Sequence, residues 1–372
     1  MRLDDLPTPA LVLDRGVLVA NTTAMTARMR RLGVALRPHL KTAKSAEVAR
    51  LALAGNAGGI TVSTLREASY FLDHGIADIV YAVGMTPARL DAAAALGDKG
   101  AELKIITDGV DGARAIAAHG GAHTVLIEVD VGQGRGGVAP DGDTLMEIAG
   151  ILDGAPRVTL AGVLAHAGHS YDCRDADAMA VVAEDERRGA VMAAERLRAE
   201  GLPCPVVSVG STPTAMFARD LTGVTEARPG VYMFCDLFQA GIGVCAIDDI
   251  AVSVLASVIG ARPADNVLLI DAGGLALSKD RSTAELPDDS GYGLVCDAAT
   301  GRPFPGLRVR TANQEHGFVA SDRPIAFDAF PIGAKVRVLP NHACMTAAAY
   351  EAYNVVDGDT EVVASWSRCN GW

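Results

Sequence analysis

The sequence lacks the features of membrane, secreted and nucleic-acid-binding proteins. No apolar run approaches the roughly 20 residues that a membrane-spanning helix needs. Residues 1–6 carry no apolar stretch of the signal-peptide kind, so we expect a cytoplasmic protein. The 7 cysteines are scattered and odd in number, which argues against a disulfide framework. A formal net charge of -12 gives no electrostatic gain on nucleic acid or anionic lipid, so we expect neither as a partner.

Short apolar runs alternate with alanine-rich helical patterns through the first two thirds of the chain. Strands that are buried on both faces read as continuous apolar runs, and regular alternation with helices indicates parallel strands. The runs lie at 34–40, 59–63, 78–83, 103–107, 124–129, 160–164, 205–209 and 224–232. Eight such runs favour a (β/α)8 barrel, of the α/β class, over an open sheet.

The pattern changes after about residue 244. Closely spaced β-type runs, such as 251–255 and 335–339, are separated there by Gly, Pro and Asp turns. We therefore predict a barrel domain over residues 15–243 and a mostly β domain over 244–372, to which residues 1–14 also belong. The run 10–14 could pair with strands of either domain.

Lys41 stands where the first barrel run ends, three residues before Lys44. Side chains at the carboxyl ends of barrel strands form the sites of such barrels. A second ammonium nearby, in a partly apolar pocket, lowers a lysine pKa and frees the amine for Schiff-base chemistry. Alternatively, Lys41 is a solvated residue at a strand end.

Small and hydroxyl-bearing residues follow the seventh run at 209–214, Val-Gly-Ser-Thr-Pro-Thr. Backbone N–H groups and hydroxyls at such a turn can hold a phosphate, although turns of this composition are common. Arg228 and the residues up to Tyr232 belong to the eighth run. Loops after the seventh and eighth strands are the usual phosphate-holding place in these barrels.

His342 and Cys344 are two residues apart, so in a strand both side chains would leave from the same face. A nitrogen and a sulfur ligand suit zinc, and a site with two protein ligands stays open to water and substrate. A half-buried histidine beside an inert cysteine is the alternative. Residues 314–317, Gln-Glu-His-Gly, could support a metal or simply form a turn.

Two further loops contain polar candidates. The glycine-rich segment 132–137 follows the fifth run and lacks the spacing of a dinucleotide fingerprint. Its Arg135 could contact an anionic substrate or cofactor, or lie on the surface. In segment 166–171, His-Ala-Gly-His-Ser-Tyr, we favour Tyr171 as a cofactor contact and leave the histidines as structural or supporting residues.

Five motifs together resemble the D-serine dehydratase and D-threonine aldolase family, whose members are pyridoxal-phosphate enzymes with the alanine-racemase type of fold. The motifs lie at 37–42, 131–135, 168–171, 314–317 and 340–344. The resemblance implies that pyridoxal 5'-phosphate is attached to Lys41. It implies further cofactor contacts at His39, Arg135, Tyr171, Gly210, Ser211, Thr212, Arg228, Gly230, Val231 and Tyr232.

The same resemblance implies a lyase that acts on a D-3-hydroxy amino acid. Dehydratase members of the family tend to have His-x-Cys and zinc, and aldolase members His-x-Asp and manganese or magnesium. His342 and Cys344 therefore favour a dehydratase that forms a 2-oxo acid and ammonia. The alternatives are an aldolase giving glycine and an aldehyde and, behind it, a racemase. D-Serine, D-threonine and 3-hydroxy-D-aspartate remain open as substrates, and the fold implies a homodimer.

Overall fold

The computed structural model of the chain describes residues 1–56 and 58–372. The described chain divides into two compact units, one of residues 1–22 and 231–370 and the other of residues 23–230 and 371–372. The domain boundaries drawn from the sequence stay a prediction. Among the described helices, none combines the length and the apolar character needed to cross a membrane.

The second unit contains a parallel β-barrel. After β1 (Ala10–Asp14), which belongs to the first unit, the barrel strands follow in chain order across the described residues. They are β2 (Ala35–Leu36), β3 (Ile60–Val62), β4 (Asp78–Gly84), β5 (Glu102–Thr107), β6 (His123–Val129), β7 (Val158–Ala165), β8 (Val206–Val209) and β9 (Glu226–Ala227). They pair in the order β2-β9-β8-β7-β6-β5-β4-β3. The predicted (β/α)8 barrel is therefore confirmed.

The chain just after β2 closes the barrel. The backbone N–H of Leu40 donates to the carbonyl of Thr61 at 2.8 Å, and the N–H of Thr61 donates to the carbonyl of Pro38 at 2.9 Å. These two bonds join the segment that leads to Lys41 to the neighbouring strand β3. Lys41 consequently lies at the carboxyl end of the first barrel strand.

Helix α1 (Arg15–Arg31) leads from β1 to the first barrel strand, β2. The helices between successive barrel strands are α2 (Ala46–Leu53), α3 (Leu65–Asp73), α4 (Leu90–Asp98), α5 (Val110–Ala118), α6 (Asp143–Asp153), α7 (Ala176–Ala199) and α8 (Thr212–Phe217). Several begin at a residue whose side chain caps the helix: Thr64 accepts from the N–H of Glu67, Asp175 from that of Ala178 and Ser211 from that of Thr214. Such caps satisfy N–H groups that lack a partner within the helix.

The first unit is built mainly from antiparallel strands. Its helices are α9 (Leu237–Gly241), α10 (Gly274–Leu277) and α11 (Ala343–Ala347). Its strands after β1 are β10 (Val252–Arg262), β11 (Val267–Ile270), β12 (Leu294–Asp297), β13 (Pro303–Ala312), β14 (Gly317–Ala320), β15 (Lys335–Leu339), β16 (Ala352–Val356) and β17 (Ala364–Ser367). The order is β11-β14-β13-β12-β15-β10-β1-β16-β17, and β11 also pairs with β10. That extra pairing closes a small barrel, so the predicted β domain is confirmed as a fold.

Strand β1 pairs within this first unit. Ala10 lies opposite Leu255 in an antiparallel ladder with β10, and Val12 lies beside Asn354 in a parallel ladder with β16. Its residues 10–13 are buried, which explains why the run is apolar without alternation. The pairing that the sequence left open is therefore with the β strands.

A buried ion cluster joins three barrel strands through Arg37. Its Nε lies 2.6 Å from the carboxylate of Glu226, and its Nη2 lies 2.9 Å from that of Asp78. Arg37 and Glu226 are almost fully buried, whereas Asp78 is partly exposed. A Cβ added to Gly59 would lie 2.5 Å from Nη1 of Arg37, so only glycine leaves room for this guanidinium.

Replacing Arg37 with Ala should lower the free energy of unfolding by about 3–5 kcal/mol, because Glu226 would keep a buried charge without its partner. Arg114→Ala is the matched control, since Arg114 pairs with Asp111 and Glu147 on the surface. That change should cost under about 1 kcal/mol. Denaturant unfolding followed by circular dichroism measures both. Equal losses in the two variants would contradict the structural role given to Arg37.

Candidate functional site

The chain turns sharply after Leu40 and leaves Lys41 exposed. The N–H of Lys44 donates to the carbonyl of Leu40 at 2.7 Å, and Lys44 has a left-handed φ of 49°. The Lys44 ammonium lies 3.2 Å from Oε1 of the buried Glu67. Because this carboxylate compensates its charge, Lys44 is a structural partner of Glu67. The crowding of Lys41 by a second ammonium stays a prediction, with Lys44 itself paired to Glu67.

Two half-buried histidines lie near Lys41. The pKa of His39 is lowered well below its ordinary value, first by burial and then by the charges of Lys41 and Arg228. Burial likewise lowers the pKa of His166 to about 3, and its Nδ1 lies 3.0 Å from the carbonyl of Gly210. Both imidazoles are therefore neutral at physiological pH, and both are weak bases.

Arg228 lies just after β9 and is completely enclosed. Its Nη1 donates to Oγ of Ser208 at 2.6 Å and its Nη2 donates to the carbonyl of Ala165 at 2.6 Å. Burial lowers the pKa of Arg228 to about 10, against the carboxylates of Glu226, Glu186 and Glu128, which raise it. The guanidinium thus stays charged and is held in one orientation by bonds to the ends of β7 and β8.

The ends of β8 and β9 form a narrow cradle. Gly210 has a φ of 124°, and a Cβ there would lie 2.8 Å from the backbone nitrogen of Arg228. At Gly230 a Cβ would lie 2.9 Å from the carbonyl oxygen of His39. Ser211 and Thr212 directly follow Gly210 in the sequence, and both are buried. Ser211 is the N-cap of α8 and Thr212 is its first residue. Hydroxyl groups at a helix start, in a cradle that glycines keep open, fit the phosphate of pyridoxal phosphate.

Glu186 holds this cradle from helix α7. Its Oε1 accepts hydrogen bonds from the N–H of Ala167 at 2.8 Å and from the N–H of Gly210 at 3.0 Å. The carboxyl group is fully buried, and burial raises its pKa. One side chain therefore connects the loop after β7, which carries His166, to the loop after β8.

Glu186→Ala should weaken the binding of pyridoxal phosphate, because two buried N–H groups would lose their acceptor. Such a loss costs about 1–3 kcal/mol, and we expect a fivefold to hundredfold lower cofactor affinity in a fluorescence titration. Glu186→Gln keeps an acceptor oxygen and should restore most of the affinity. Glu184→Ala on the same helix is the control, since Glu184 pairs only with the neighbouring Arg187 in the described chain. Unchanged affinity in Glu186→Ala would contradict the assignment.

Arg135 lies in the glycine-rich loop after β6. Its Nη2 is 3.6 Å from Oε1 of Glu128, and about half of its side chain is exposed. The positive charge of Arg135 also lowers the pKa of His166, which places the guanidinium toward the same end of the barrel. The loop is packed against the segment after β7, since Oε1 of Gln133 accepts from the N–H of Gly168 at 3.2 Å. Arg135 is thus available to an anion.

Tyr171 lies in the short 3-10 helix Gly168–Asp172, directly after β7, and is partly exposed. In the same helix Oγ of Ser170 lies 2.8 Å from Oγ of Ser211, which connects this segment to the cradle. Val231 and Tyr232 begin another 3-10 helix, Val231–Met233, in the first unit. Tyr232 is buried, and burial raises the pKa of its hydroxyl.

The proposed metal ligands lie in the first unit at a helix start. His342 precedes α11 as its N-cap, and Cys344 lies within that helix. Strand β15 ends at Leu339, so the two residues do not share one strand. His342 keeps an extended backbone as the N-cap, whereas Cys344 is helical. The tight first turn of α11 nevertheless brings the imidazole of His342 into hydrogen-bonding contact with the thiol of Cys344.

Asp280 orients the imidazole. Its Oδ2 lies 2.7 Å from Nδ1 of His342, which leaves Nε2 as the nitrogen for a metal. Burial by itself lowers the pKa of His342, but hydrogen bonds to Asp280 and Cys344 outweigh burial and raise that pKa to about 11. The hydrogen bond from His342 in turn lowers the pKa of Asp280 to about 2. Metal binding must therefore displace a proton.

The donor set fits a metal that keeps open positions. Imidazole nitrogen and thiolate sulfur are ligands of zinc, and a carboxylate behind the histidine is the usual support. No group of three or more His, Cys, Asp or Glu side chains suited to hold a metal occurs in the part of the chain that the structure describes. A metal on His342 and Cys344 would thus keep positions for water or substrate.

Residues 314–317 form the turn between β13 and β14. The N–H of Asn313 donates to the carbonyl of His316 at 2.9 Å, and the side chains of Gln314, Glu315 and His316 are exposed. Of the two interpretations of this motif, the turn is the one that the structure shows. The carboxylate behind His342 comes from Asp280 instead.

Two supporting residues were missed by the sequence analysis. Glu186 lies three residues after Ala183 and four before Ala190, both buried on α7. An acid at a buried position of that stripe was a readable signal. Asp280 lies between Lys279 and Arg281, a composition typical of a solvated loop, so no local pattern marked it.

Comparisons with known proteins agree with this architecture. Residues 13–237 match the family profile described as "Alanine racemase, N-terminal domain", and residues 251–356 match the "Putative serine dehydratase domain". The chain is 49% identical to the D-threo-3-hydroxyaspartate dehydratase of Delftia sp. (strain HT23), over 99% of this chain and 98% of that protein. It is 33% identical to the D-threonine aldolase of Arthrobacter sp., over 95% and 90% of the two chains.

A solved structure is similar over the whole chain. It is a cysteine-to-alanine mutant of D-threo-3-hydroxyaspartate dehydratase in the metal-free form, with 48% identity, a TM-score of 0.97 and coverage of 100% of both chains. The present chain therefore belongs to the D-serine dehydratase and D-threonine aldolase family of pyridoxal-phosphate enzymes, which share the alanine-racemase type of fold. The family resemblance predicted from the sequence is confirmed.

Proposed function

We propose that this protein is a pyridoxal-phosphate- and zinc-dependent dehydratase that converts a D-3-hydroxy amino acid to a 2-oxo acid and ammonia. The observation that carries the proposal is the nitrogen and sulfur pair of His342 and Cys344, oriented by Asp280 at 2.7 Å. A soft thiolate beside an imidazole favours zinc over manganese or magnesium. One relative of the chain is named as a dehydratase, which is consistent with the proposed reaction.

The residues that the family resemblance implies as cofactor contacts bind the cofactor in this proposal. Pyridoxal phosphate, when bound, supplies an electron sink for the charge that develops at the substrate Cα. Ser211 and Thr212 hold its phosphate, together with the backbone of Gly210, Gly230 and Val231. His39, Arg135, Tyr171, Arg228 and Tyr232 make further cofactor contacts.

Lys41 has two tasks in the proposed reaction. Its amine would hold the cofactor in the resting enzyme, and the freed amine would act as general base for the α-proton of the substrate. The neutral and weakly basic His39 and His166 leave this task to the lysine. Arg228 stays charged. As a cofactor contact, its fixed positive charge would disfavour protonation of the cofactor ring and so moderate the electron sink.

His342 and Cys344 hold the metal, and Asp280 fixes the imidazole. Zinc, when bound there, supplies Lewis-acid assistance to the departure of the β-hydroxyl, which is a poor leaving group. Asp280 keeps Nε2 of His342 directed at the metal by accepting from Nδ1. The elimination product then hydrolyses to the 2-oxo acid and ammonia.

Product analysis tests the reaction type directly. The purified protein, loaded with pyridoxal phosphate and zinc, is incubated separately with D-serine, D-threonine and 3-hydroxy-D-aspartate. A dehydratase gives equal amounts of 2-oxo acid and ammonia and no glycine. We place 3-hydroxy-D-aspartate first among the three, because the relative with 49% identity over the full length is a dehydratase of that amino acid. Glycine as the main product would overturn the proposal in favour of the aldolase.

The aldolase is the second candidate, since a D-threonine aldolase is 33% identical over most of the chain. Cys344→Asp should test what separates the two activities. A hard carboxylate in place of the thiolate should lower zinc affinity relative to manganese by about tenfold or more. Competition titration with a chromogenic chelator measures this ratio, with Cys173→Asp as a control outside the metal site. An unchanged ratio would show that Cys344 does not bind the metal.

We also propose that the protein is a homodimer, as the fold commonly is. Size-exclusion chromatography with light scattering tests this, with twice the mass of 38.4 kDa for one chain as the expected result. A monomer that is fully active would overturn it.

A further inference from the structure

Three cysteines meet in one apolar cluster of the first unit. Cys235 and Cys296 are buried there together with Leu237, and the partly buried Cys245 packs against the same cluster. The thiol of Cys235 is hydrogen-bonded to that of Cys245, whereas the thiol of Cys296 is directed at the carbonyl of Leu294 at 3.5 Å. The mechanism proposed above uses none of these thiols.

Cys235 has an unusual backbone conformation. Its φ is 51°, in the left-handed region that residues other than glycine rarely adopt. Its N–H donates to the carbonyl of Val231 at 2.7 Å, and its Sγ is directed at the carbonyl of Tyr232 at 3.6 Å. The Cys235 thiol lies in the apolar cluster, where it contacts Cys245, a residue that follows α9 in the sequence.

The segment between Cys235 and Cys245 holds the loop that carries the metal ligands. Oδ2 of Asp236 accepts from the N–H of Ala343 at 3.0 Å. The N–H of Leu237 donates to the carbonyl of Pro340 at 3.1 Å, and the N–H of Phe238 donates to the carbonyl of Asn341 at 3.2 Å. On one side these three hydrogen bonds involve residues 236–238, which directly follow Cys235. On the other side they involve Pro340 and Asn341, just before His342, and Ala343, between His342 and Cys344.

We propose that Cys235 and Cys245 form a reversible disulfide that lowers the metal affinity of the His342 and Cys344 pair. The oxidant is a low-molecular-weight disulfide such as glutathione disulfide. The part of the inference that concerns metal affinity rests on the proposed metal function, and the part that concerns the disulfide does not.

The exchange is balanced in two steps. The thiolate of the more accessible Cys245 attacks one sulfur of the small disulfide, whose S–S bond breaks and releases one small thiolate. The thiolate of Cys235 then attacks the Cys245 sulfur of the mixed disulfide and releases the second small thiolate. The two protein thiols are oxidised, the small disulfide is reduced to two thiols, and the two cysteine protons pass to the leaving groups.

Closure of the bond must move the Cys235 backbone. Two hydrogen-bonded thiols have to approach to an S–S distance of about 2.05 Å. Because the side chains of the cluster are closely packed, the thiols cannot approach by side-chain rotation alone, and the backbone has to move. Since Asp236 follows Cys235 directly, its bond to Ala343 shifts with it. Disturbance of the groups that orient metal ligands lowers metal affinity by about tenfold to a hundredfold.

The test combines a chemical and a binding measurement on the full chain. The zinc-loaded protein is equilibrated with glutathione disulfide, desalted, and analysed by peptide mass spectrometry under non-reducing conditions. Zinc affinity is then measured by competition with a chromogenic chelator. We expect a linked Cys235 and Cys245 peptide, a zinc affinity at least about tenfold lower, and recovery of both after treatment with dithiothreitol.

Control variants separate this effect from oxidation of Cys344. Cys245→Ser, and Cys245→Ala as a second variant, should keep their zinc affinity after the same treatment. Cys173→Ser, a change in the other unit, should respond like the parent protein. Absence of the linked peptide would overturn the proposal, and an equal loss of zinc affinity in the Cys245 variants would assign the effect to Cys344. Failure of the reduced protein to bind zinc would refute the proposed metal function, while the peptide analysis would still decide on the disulfide.

Discussion

Lys41→Ala should abolish turnover of every D-3-hydroxy amino acid and the visible absorbance of lysine-bound pyridoxal phosphate. Lys41 is exposed at the carboxyl end of the first barrel strand, and its nearest lysine in the chain, Lys44, is engaged by Glu67 at 3.2 Å. Loss of both the covalent anchor and the general base should lower kcat by about 10,000-fold or more. Steady-state assays of 2-oxo acid formation measure the loss.

Borohydride reduction followed by peptide mapping provides the structural readout for this variant. The parent protein should retain the cofactor on the peptide that contains Lys41, and Lys41→Ala should retain none. Lys99→Ala is the matched control, because Lys99 is an exposed residue that follows α4. Cofactor trapped on another lysine of Lys41→Ala, with turnover preserved, would show that the anchor lies elsewhere.

The barrel was predictable because its strands are buried on both faces. Runs such as Val125 to Ile127 are completely buried, so their sequence carries no polar alternation that could suggest another class of sheet. The prediction for the eighth run was less accurate. It was predicted over 224–232 but forms a strand only at Glu226 and Ala227, since the chain then turns through Pro229 and Gly230. Proline at this position removes a backbone donor and ends the ladder.

The local conformation at the metal ligands was not predictable from spacing alone. A separation of two residues puts side chains on one face of a strand, and the apolar run of β15 made a strand the simplest extension. The strand ends at Leu339, and the side chain of Asn341 instead accepts from the N–H of Thr283 at 2.9 Å, which binds the loop to a distant segment. Contacts of such long sequence separation leave no periodic signal.

The electrostatic support of the site was equally hidden from the sequence. From the sequence, Lys44 was expected to act on Lys41 through its charge. In the structure Lys44 pairs with Glu67, a fully buried residue of α3. Asp280 reaches His342 from a separate loop. Motifs identify residues that do chemistry, whereas the residues that orient them are selected by three-dimensional packing.

D-3-hydroxy amino acids should react, and their L-enantiomers should react at least about a thousandfold more slowly in kcat/KM, a difference of about 4 kcal/mol. Removal of the α-proton needs a base whose pKa is near the working pH. Burial lowers the pKa values of His39 and His166 far below that range, so neither histidine suits this task. In the proposed mechanism Lys41 is the base, and one lysine serves one face of the substrate. Two relatives of the chain are named for D-configured substrates, and the proposed function takes the D-series for this protein as well. Coupled assays with enantiopure serine, threonine and 3-hydroxyaspartate measure the ratio, and chiral chromatography of the unreacted substrate is the control for racemisation. Comparable turnover of an L-enantiomer, or racemised substrate, would reveal a second base and favour the racemase instead.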